Sequence, residues 1–227
     1  MAHFTAQELI LHKMKKIMVP IMAGHNRKKL NNTDFTIISN NCWGGGCYEY
    51  FNLLKNSPTV GSYFFAEDYI KLIQNLNHYL ENDIEIIDAR ESAHFEILKE
   101  LNQLSVPVGK LDDVEVILLH YPNSEIAKEK WKRRVDRINW NNLIIKFSYM
   151  SKCTDEHIAE FQRIKGIKKF CFVPRVFNNM DDLYVYPSRI HSMTDLGDDV
   201  FDWNKHIDVI AKINEPVTGI DTLRVER

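Results

Sequence analysis

Residues 35–48, with the sequence Phe-Thr-Ile-Ile-Ser-Asn-Asn-Cys-Trp-Gly-Gly-Gly-Cys-Tyr, decide how this chain folds. The first four are aromatic or β-branched, which is typical of a short buried strand. Polar residues and three glycines follow, and apolar side chains resume at Tyr48, which indicates a turn into a helix. We therefore predict a strand that delivers its carboxyl end to a loop and a helix, the repeating unit of α/β folds.

The remaining chain alternates between strand and helix patterns. Strands are predicted at 59–65, 84–87, 143–148, 169–173 and 183–187, and helices at 67–80, 124–138, 155–164 and 203–213. This alternation predicts a three-layer α/β fold with a mostly parallel central sheet and helices on both faces, as in Rossmann-like folds. Residues 106–120 are the exception, because their pattern predicts a β-hairpin insertion with Asp112 and Asp113 at its bend.

Length and composition narrow the class of protein. The chain has 227 residues, of which 44% are hydrophobic, enough for one sizeable core and therefore one domain. A net charge of −2 argues against a dedicated nucleic-acid binder. The longest apolar runs fall far short of the roughly 20 residues of a membrane helix, and the first residues lack the pattern of a signal peptide. We expect a cytoplasmic protein with no membrane span, and the oligomeric state stays open.

The cysteines do not predict a disulfide or a metal site. The four residues are Cys42, Cys47, Cys153 and Cys171. They are dispersed, and a chain of this length does not need disulfide bonds, so reduced thiols are expected. Cys42 and Cys47 stand five positions apart, which is not the usual spacing of zinc ligands, and no other metal-ligand cluster is present in the sequence.

The turn at 39–46 is the main candidate site, because open α/β sheets bind ligands beyond the carboxyl ends of their strands. Gly44, Gly45 and Gly46 permit close backbone approach, and amides at a helix start attract a phosphate or carboxylate. Asn40 joins this predicted phosphate site. The alternative is that the glycines only allow a tight turn and close packing, since neither Gly-x-Gly-x-x-Gly nor a Walker lysine is present.

The same turn holds three candidate catalytic residues, Ser39, Asn41 and Cys42. A helix N-terminus lowers the pKa of a thiol, so Cys42 would serve as a nucleophile, although a cysteine here is alternatively a small core hydrophobe. Ser39 is the competing nucleophile, but it lacks the glycine-flanked elbow of the α/β hydrolases. Asn41, or Asn40 before it, would position an acceptor or stabilise developing negative charge.

His120 is the candidate for proton transfer. It follows the apolar run at 116–119, which places an imidazole where a strand leaves the core. The alternative is a histidine that caps an element or is hydrogen-bonded within the core.

The helix predicted at 124–138 is the candidate basic surface, and Ser124 is its predicted N-cap. It carries six basic and three acidic side chains. Arg133, Arg134 and Arg137 are the candidates for phosphate binding, because guanidinium groups bind phosphate in bidentate fashion. A solvated charged face is the alternative.

Four segments resemble a bacterial family known as domain of unknown function nineteen-nineteen, which is associated with exopolysaccharide biosynthesis. The segments are 39–45, 57–61, 119–121 and 130–139. They occur in the family's order, so the chain is identified as a member over a core at 35–173. An N-terminal helix and linker at 1–30 and a closing segment at 174–227 flank this core. The resemblance implies a cytosolic α/β domain linked to exopolysaccharide or capsule genes, without a reaction to assign to particular residues.

Two hypotheses combine these candidates. In the first, the protein is a transferase that moves a sugar or acyl group during surface-polysaccharide assembly. Gly44 to Gly46 and the basic helix hold a phosphate-bearing donor, such as a nucleotide sugar or coenzyme A, and His120 is the base. In the second, the protein binds a nucleotide or sugar phosphate without turnover, or is a structural subunit. The sequence leaves the cofactor unknown.

Overall fold

The computed structural model describes residues 22–150, 152–178, 180–186 and 206–216. The strands are β1 (Thr36–Ser39), β2 (Glu85–Ile87), β3 (Val108–Leu111), β4 (Val114–Ile117), β5 (Leu143–Ser148), β6 (Lys168–Val173) and β7 (Leu183–Val185). The helices are α1 (Trp43–Tyr50), α2 (Ala66–Gln74), α3 (Leu76–Glu81), α4 (Phe95–Glu100), α5 (Ser124–Val135), α6 (Asp155–Arg163) and α7 (Val209–Asn214). Residues 22–27 are helical, and the rest of the predicted N-terminal helix lies outside the described residues.

Four strands form a parallel sheet in the order β1-β5-β6-β7. Every residue of β1, β5 and β6 is buried, as expected for strands rich in aliphatic and aromatic side chains. The α/β class and the parallel sheet are therefore confirmed. The described strands follow one another across the sheet in chain order, without the reversal of strand order that Rossmann folds have, so the Rossmann-like three-layer arrangement stays a prediction.

Three strands form a separate antiparallel sheet in the order β2-β3-β4. Its β3–β4 hairpin confirms the predicted insertion, and Asp112 turns the chain with a φ of 57°. Gly109 lets β3 pack closely, because a Cβ there would lie 2.8 Å from Val116 Cγ1 and a neighbouring side chain would have to shift. The strand predicted at 59–65 is wrong: only Tyr63 bridges to Ile117, outside any named strand.

Several helices differ from the sequence prediction. The helix predicted at 124–138 ends at Val135, and the one predicted at 203–213 begins at Val209. The predicted helix at 67–80 is two helices, because Asn75 leaves helical geometry with φ −142° and ψ 56°. The N-cap of α5 is Asn123 rather than Ser124: the Asn123 side-chain oxygen accepts from Ile126 N at 2.9 Å. Asparagine caps as well as serine does, and Asn123 has the extended backbone that an N-cap needs.

Both faces of the parallel sheet are buried. Alternate residues of a strand point to opposite faces, and Ile38 packs in one apolar cluster with Tyr69 of α2 and Trp131 of α5. Ile37 packs in a second cluster with Trp43 of α1. The same alternation places the polar residues at the ends of β1 and β5 on the α1 side of the sheet.

Candidate functional site

A buried lysine lies where β1 and β5 end. Lys146 of β5 is paired with Ser39 of β1 in the sheet, and its side chain is fully buried. Its Nζ donates to Asn41 Oδ1 at 2.8 Å and to Ser148 Oγ. The ammonium group also lies 5.7 Å from the centre of the Trp43 ring, a cation–π distance. Lys146 was not among the residues predicted from the sequence, although it is the single charge inside the apolar strand Leu-Ile-Ile-Lys-Phe-Ser.

Asn41 joins the turn after β1 to both neighbouring elements. Its Oδ1 accepts from Ser39 Oγ at 3.2 Å and from Trp43 N at 3.1 Å, besides the Lys146 ammonium. Its amide nitrogen donates to the sulfur of Met150 at 3.4 Å. The side chain is therefore held in one orientation between the start of α1 and the end of β5.

Asn40 extends the pairing of β1 with β5 by one step. Its side-chain nitrogen donates to Ser148 O at 3.1 Å, and its side-chain oxygen accepts from Ser148 N at 3.0 Å. Its backbone oxygen accepts from Phe64 N at 2.9 Å. Asn40 is completely buried, and these contacts hold the strand end in place.

The three glycines lie within the first turns of α1 rather than in a loop before it. The amides of Gly45 and Gly46 donate to Cys42 O at 3.0 and 3.3 Å, as helix backbone groups do. A Cβ at Gly45 would lie 3.2 Å from Val60 Cγ1, so this glycine serves close packing. Phosphate binding at Gly44 to Gly46 stays a prediction, and the geometry favours the packing alternative for Gly45.

Three predicted site residues contact consecutive carbonyl groups of the loop at 57–62. Arg134 Nη1 donates to Val60 O at 2.8 Å. The backbone nitrogen of His120 donates to Gly61 O at 3.0 Å, and the thiol sulfur of Cys42 lies 3.9 Å from Ser62 O. The loop thus connects the start of α1, the end of β4 and α5 around a shared backbone segment.

Tyr121 completes the contact between α5 and this loop. Its hydroxyl donates to Val60 O at 2.7 Å and accepts from Arg134 Nη1 at 2.6 Å. Burial raises the pKa of the Tyr121 phenol, and the adjacent Arg134 guanidinium opposes that shift. Lys130 places its ammonium 5.7 Å from the centre of the Tyr121 ring. Arg134 is therefore the arginine of the predicted basic set that contacts the loop at 57–62.

The other predicted residues lie apart from the strand-end contacts. The side chain of His120 is exposed, and only its backbone nitrogen is bound in the contacts of the described residues. Arg133 is exposed and pairs with Glu129 at 2.8 Å, and Arg137 is half-buried. Arg133 therefore fits the alternative of a solvated face.

A histidine–carboxylate pair was also not predicted from the sequence. His94 Nε2 lies 2.5 Å from Asp68 Oδ2, and both side chains are largely buried. The two residues are 26 positions apart, so no local pattern joins them.

The described residues contain no cluster of three histidine, cysteine or acidic side chains suited to a metal ion. Among the helices described, every one is too short or too polar to cross a membrane.

Comparison with known proteins places the chain in a family. Residues 13–208 match the DUF1919 family, described as a domain of unknown function. The chain belongs to this family. An uncharacterized protein of Haemophilus influenzae is 28% identical to it over 181 residues, which are 78% of this chain and 81% of the relative.

The DUF1919 match confirms the family resemblance and extends it beyond the predicted core at 35–173 on both sides. The DUF1919 match includes the polar residues at the ends of β1 and β5, which are Ser39, Asn40, Asn41, Lys146 and Ser148. It also includes the loop at 57–62 and the Asp68–His94 pair.

Proposed function

We propose that this DUF1919 protein transfers a sugar or acyl group from a phosphate-bearing donor to a hydroxyl acceptor, in exopolysaccharide or capsule assembly. The donor binds beyond the carboxyl ends of β1 and β5. The observation that carries the proposal is the buried Lys146 ammonium, hydrogen-bonded to Asn41 and Ser148 at that edge. A cytoplasmic location fits a protein that uses nucleotide sugars or coenzyme A thioesters.

The position of the charge supports an anionic ligand. Keeping a cation in an apolar interior is unfavourable, so lysines are rarely buried completely without a role in pairing or function. Lys146 lies beside the N-terminus of α1, which carries partial positive charge of its own. Because Lys146 is fully buried, its charge acts on the donor through the local field and through Asn41, and not by direct contact.

Arg134 supplies a second positive charge at the loop at 57–62, which also contacts Cys42. Its Nη1 donates to Val60 O, and Cys42 contacts Ser62 O in the same loop. A donor with a pyrophosphate group carries charge at more than one point, and separated cations suit such a group. The other candidates predicted for the donor site are Asn40, Gly44, Gly45, Gly46, Arg133 and Arg137. Of these, Asn40, Gly45 and Arg133 have contacts that favour a structural or surface role.

The catalytic roles follow from accessibility. Asn41 stabilises developing negative charge or orients the acceptor. Cys42 is half-buried whereas Ser39 is 1% exposed, so Cys42 is the better placed of the two nucleophile candidates. His120 is the base in the predicted scheme, and its side chain is exposed.

A second candidate function is binding of a nucleotide or sugar phosphate without turnover. The observation that favours it is the fixed state of Asn40, which uses both polar ends of its side chain on the Ser148 backbone. Such a side chain supports a rigid binding surface more readily than a reaction.

Complementation and binding measurements test the proposal. A strain lacking its own copy receives wild-type protein, Lys146→Met or Asn41→Ala, with Lys110→Met on the exposed side of β3 as the control. Purified proteins are titrated with UDP-N-acetylglucosamine and acetyl-coenzyme A in a thermal-shift assay. Loss of polysaccharide and of stabilisation in folded Lys146→Met supports the proposal. Full polysaccharide production by that variant, or no binding by the wild type, contradicts it, and binding without product supports the second function.

A further inference from the structure

A network of buried polar side chains joins α2, β4 and the residues before α4. His94 Nε2 lies 2.5 Å from Asp68 Oδ2, and their side chains are 12% and 7% exposed. The other carboxylate oxygen of Asp68 accepts from the backbone nitrogen of Glu115 at 3.0 Å. Both oxygens of Asp68 are thus engaged, and the carboxylate cannot rotate away from the imidazole.

A second carboxylate fixes the segment that carries His94. Glu115 accepts from Ala93 N at 3.1 Å and from Ser92 Oγ. Ser92 Oγ in turn accepts from His94 N at 3.0 Å. The imidazole is therefore held from both sides, through its ring by Asp68 and through its backbone by the Glu115 and Ser92 contacts.

The pairing determines which ring nitrogen of neutral His94 carries the proton. A carboxylate only accepts hydrogen bonds, so Nε2 holds the proton and Nδ1 holds a lone pair. His94 Nδ1 is buried and has no hydrogen-bond partner among the described residues. Most buried polar atoms are paired, and a catalytic role is one explanation for a buried acceptor without a partner.

The pair lies near the proposed donor site. The Phe65 ring packs on the His94 ring with 4.1 Å between centres. The residue before it, Phe64, donates its backbone N–H to Asn40 O at 2.9 Å. Lys152, which follows the end of β5, lies with its ammonium 5.9 Å from the Phe65 ring centre. His94 is therefore connected to the turn after β1 through the consecutive residues Phe65 and Phe64.

We propose that His94, oriented by Asp68, is the general base that deprotonates the acceptor hydroxyl. This inference rests on the proposed transferase function and replaces His120 in that role. An imidazole that is held by a carboxylate through one nitrogen, with a lone pair that has no hydrogen-bond partner at the other, can activate hydroxyl groups as a general base. The exposed ring of His120 has no carboxylate partner in the contacts of the described residues.

The step balances as a simple group transfer. The acceptor oxygen forms a bond to the transferred sugar or acyl carbon while its proton moves to His94 Nδ1. The bond from that carbon to the donor's phosphate oxygen or thioester sulfur breaks, and the leaving atom keeps the electron pair. The proton then passes from Nδ1 to the leaving group. Because Nδ1 is buried, the step requires that binding of the acceptor uncover this nitrogen.

The tautomer of His94 is the first test, and it does not depend on knowing the substrate. In Asp68→Asn the amide oxygen remains on Glu115 N, so the amide NH2 group faces His94 Nε2. Two donors cannot share a hydrogen bond, so the proton of neutral His94 moves to Nδ1. Nitrogen-15 NMR is expected to show the Nε2–H form in the wild type and the Nδ1–H form in Asp68→Asn, with His94→Gln identifying the signal. The same tautomer in both proteins overturns the proposal.

Transfer is the second test. Extracts of complemented strains are assayed with labelled UDP-N-acetylglucosamine or labelled acetyl-coenzyme A, which also separates a sugar donor from an acyl donor. His94→Gln and Asp68→Asn are each expected to lower the transfer rate by about 10²-fold or more. The control is His78→Gln, which alters a surface histidine–aspartate pair at 3.1 Å, His78 with Asp112. Folding is checked by circular dichroism, and Asp68→Asn, which keeps the side-chain shape, decides the outcome if His94→Gln does not fold.

The outcomes separate the two proposals. If Lys146→Met loses transfer while folded His94→Gln and Asp68→Asn keep it, the role of His94 is wrong and the transferase function stands. If no donor is turned over by the wild-type protein, the transferase function itself is wrong, and the role of His94 as its base falls with it.

Discussion

The side-chain oxygen of Asn41 and the ammonium nitrogen of Lys146 lie 2.8 Å apart, although 105 positions separate them in the chain. The contact joins the turn after β1 to β5, the strand beside it. It also brings a positive charge to the first turn of α1, where Asn41 accepts from the backbone of Trp43. The orientation of the turn therefore depends on a residue in a neighbouring strand.

Replacing Asn41 is expected to destabilise the protein. Asn41→Ala removes the acceptor shared by Ser39 Oγ, Trp43 N and Lys146 Nζ, and the loss of each such hydrogen bond costs about 0.5–1.5 kcal/mol. We expect the free energy of unfolding in urea to fall by about 2–4 kcal/mol. Asn41→Asp keeps an acceptor and should lose less. An effect of Asn41→Ala no larger than that of Asn141→Ala, at an exposed position, would contradict the central place of Asn41.

The two glycines that pack against neighbours should differ in their tolerance of a methyl group. A Cβ at Gly44 would lie 3.4 Å from Ile37 Cγ2, an ordinary contact, whereas one at Gly45 would lie 3.2 Å from Val60 Cγ1. Each alanine gains up to about 1 kcal/mol in helix propensity, so only the tighter site loses that gain. We expect Gly45→Ala to unfold at a lower urea concentration than Gly44→Ala. Gly44→Ala keeps its backbone amide and should therefore still bind a pyrophosphate donor.

The contacts of Arg134 should stabilise the loop at 57–62. Arg134→Met and Tyr121→Phe each remove one donor from the Val60 carbonyl. We expect each to lower the free energy of unfolding by about 1 kcal/mol and to speed hydrogen exchange of the loop amides. Arg133→Met is the matched control, since Arg133 pairs only at the surface with Glu129. Unchanged loop exchange in Arg134→Met would show that the loop holds its shape without α5.

Lys169 should make stability depend on pH. Its ammonium donates to the carbonyls of Phe161, Gln162 and Ile164 at 2.7, 3.0 and 2.6 Å, at the end of α6. Burial lowers its pKa from 10.5 to about 8. Between these values the unfolded chain binds more protons than the folded protein, so this group makes stability rise with pH from about 8 to 10.5.

The measurement is a difference between two proteins. The free energy of unfolding of the wild type and of Lys169→Met is followed from pH 7 to pH 10, with exposed Lys110→Met as the control. Relative to Lys169→Met, the wild type should gain stability as the pH rises. A constant difference over that range would mean that burial does not shift the pKa of Lys169.

Local sequence patterns were sufficient for several elements. The aliphatic runs at 143–148 and 169–173 predicted β5 and nearly all of β6, and the hairpin followed from Asp112 and its neighbours. These elements depend on side-chain periodicity and turn chemistry, which nearby residues determine. Residues 59–65 misled because their β-branched and aromatic side chains are buried by packing and polar contacts, with only one bridge to β4.

The candidate site was predictable only in part. The turn after β1 followed from a strand pattern that ends in polar residues and glycine. Lys146 was not predicted, because its apolar neighbours on the strand indicate a core position. The sequence alone does not show which polar groups would hydrogen-bond to a charged side chain at that position. The Asp68–His94 contact joins residues 26 positions apart through α2 and the segment before α4, so it depends on tertiary packing.

The centre of the Trp43 ring lies 5.7 Å from the Lys146 ammonium. Trp43 is one of four tryptophans in the chain. A nearby charge shifts the emission of an indole, so Trp43 is a built-in optical reporter of the electrostatics at the end of β5. A phosphate that arrives at this edge would change the fluorescence of the unlabelled protein, and Trp43→Phe would remove that change.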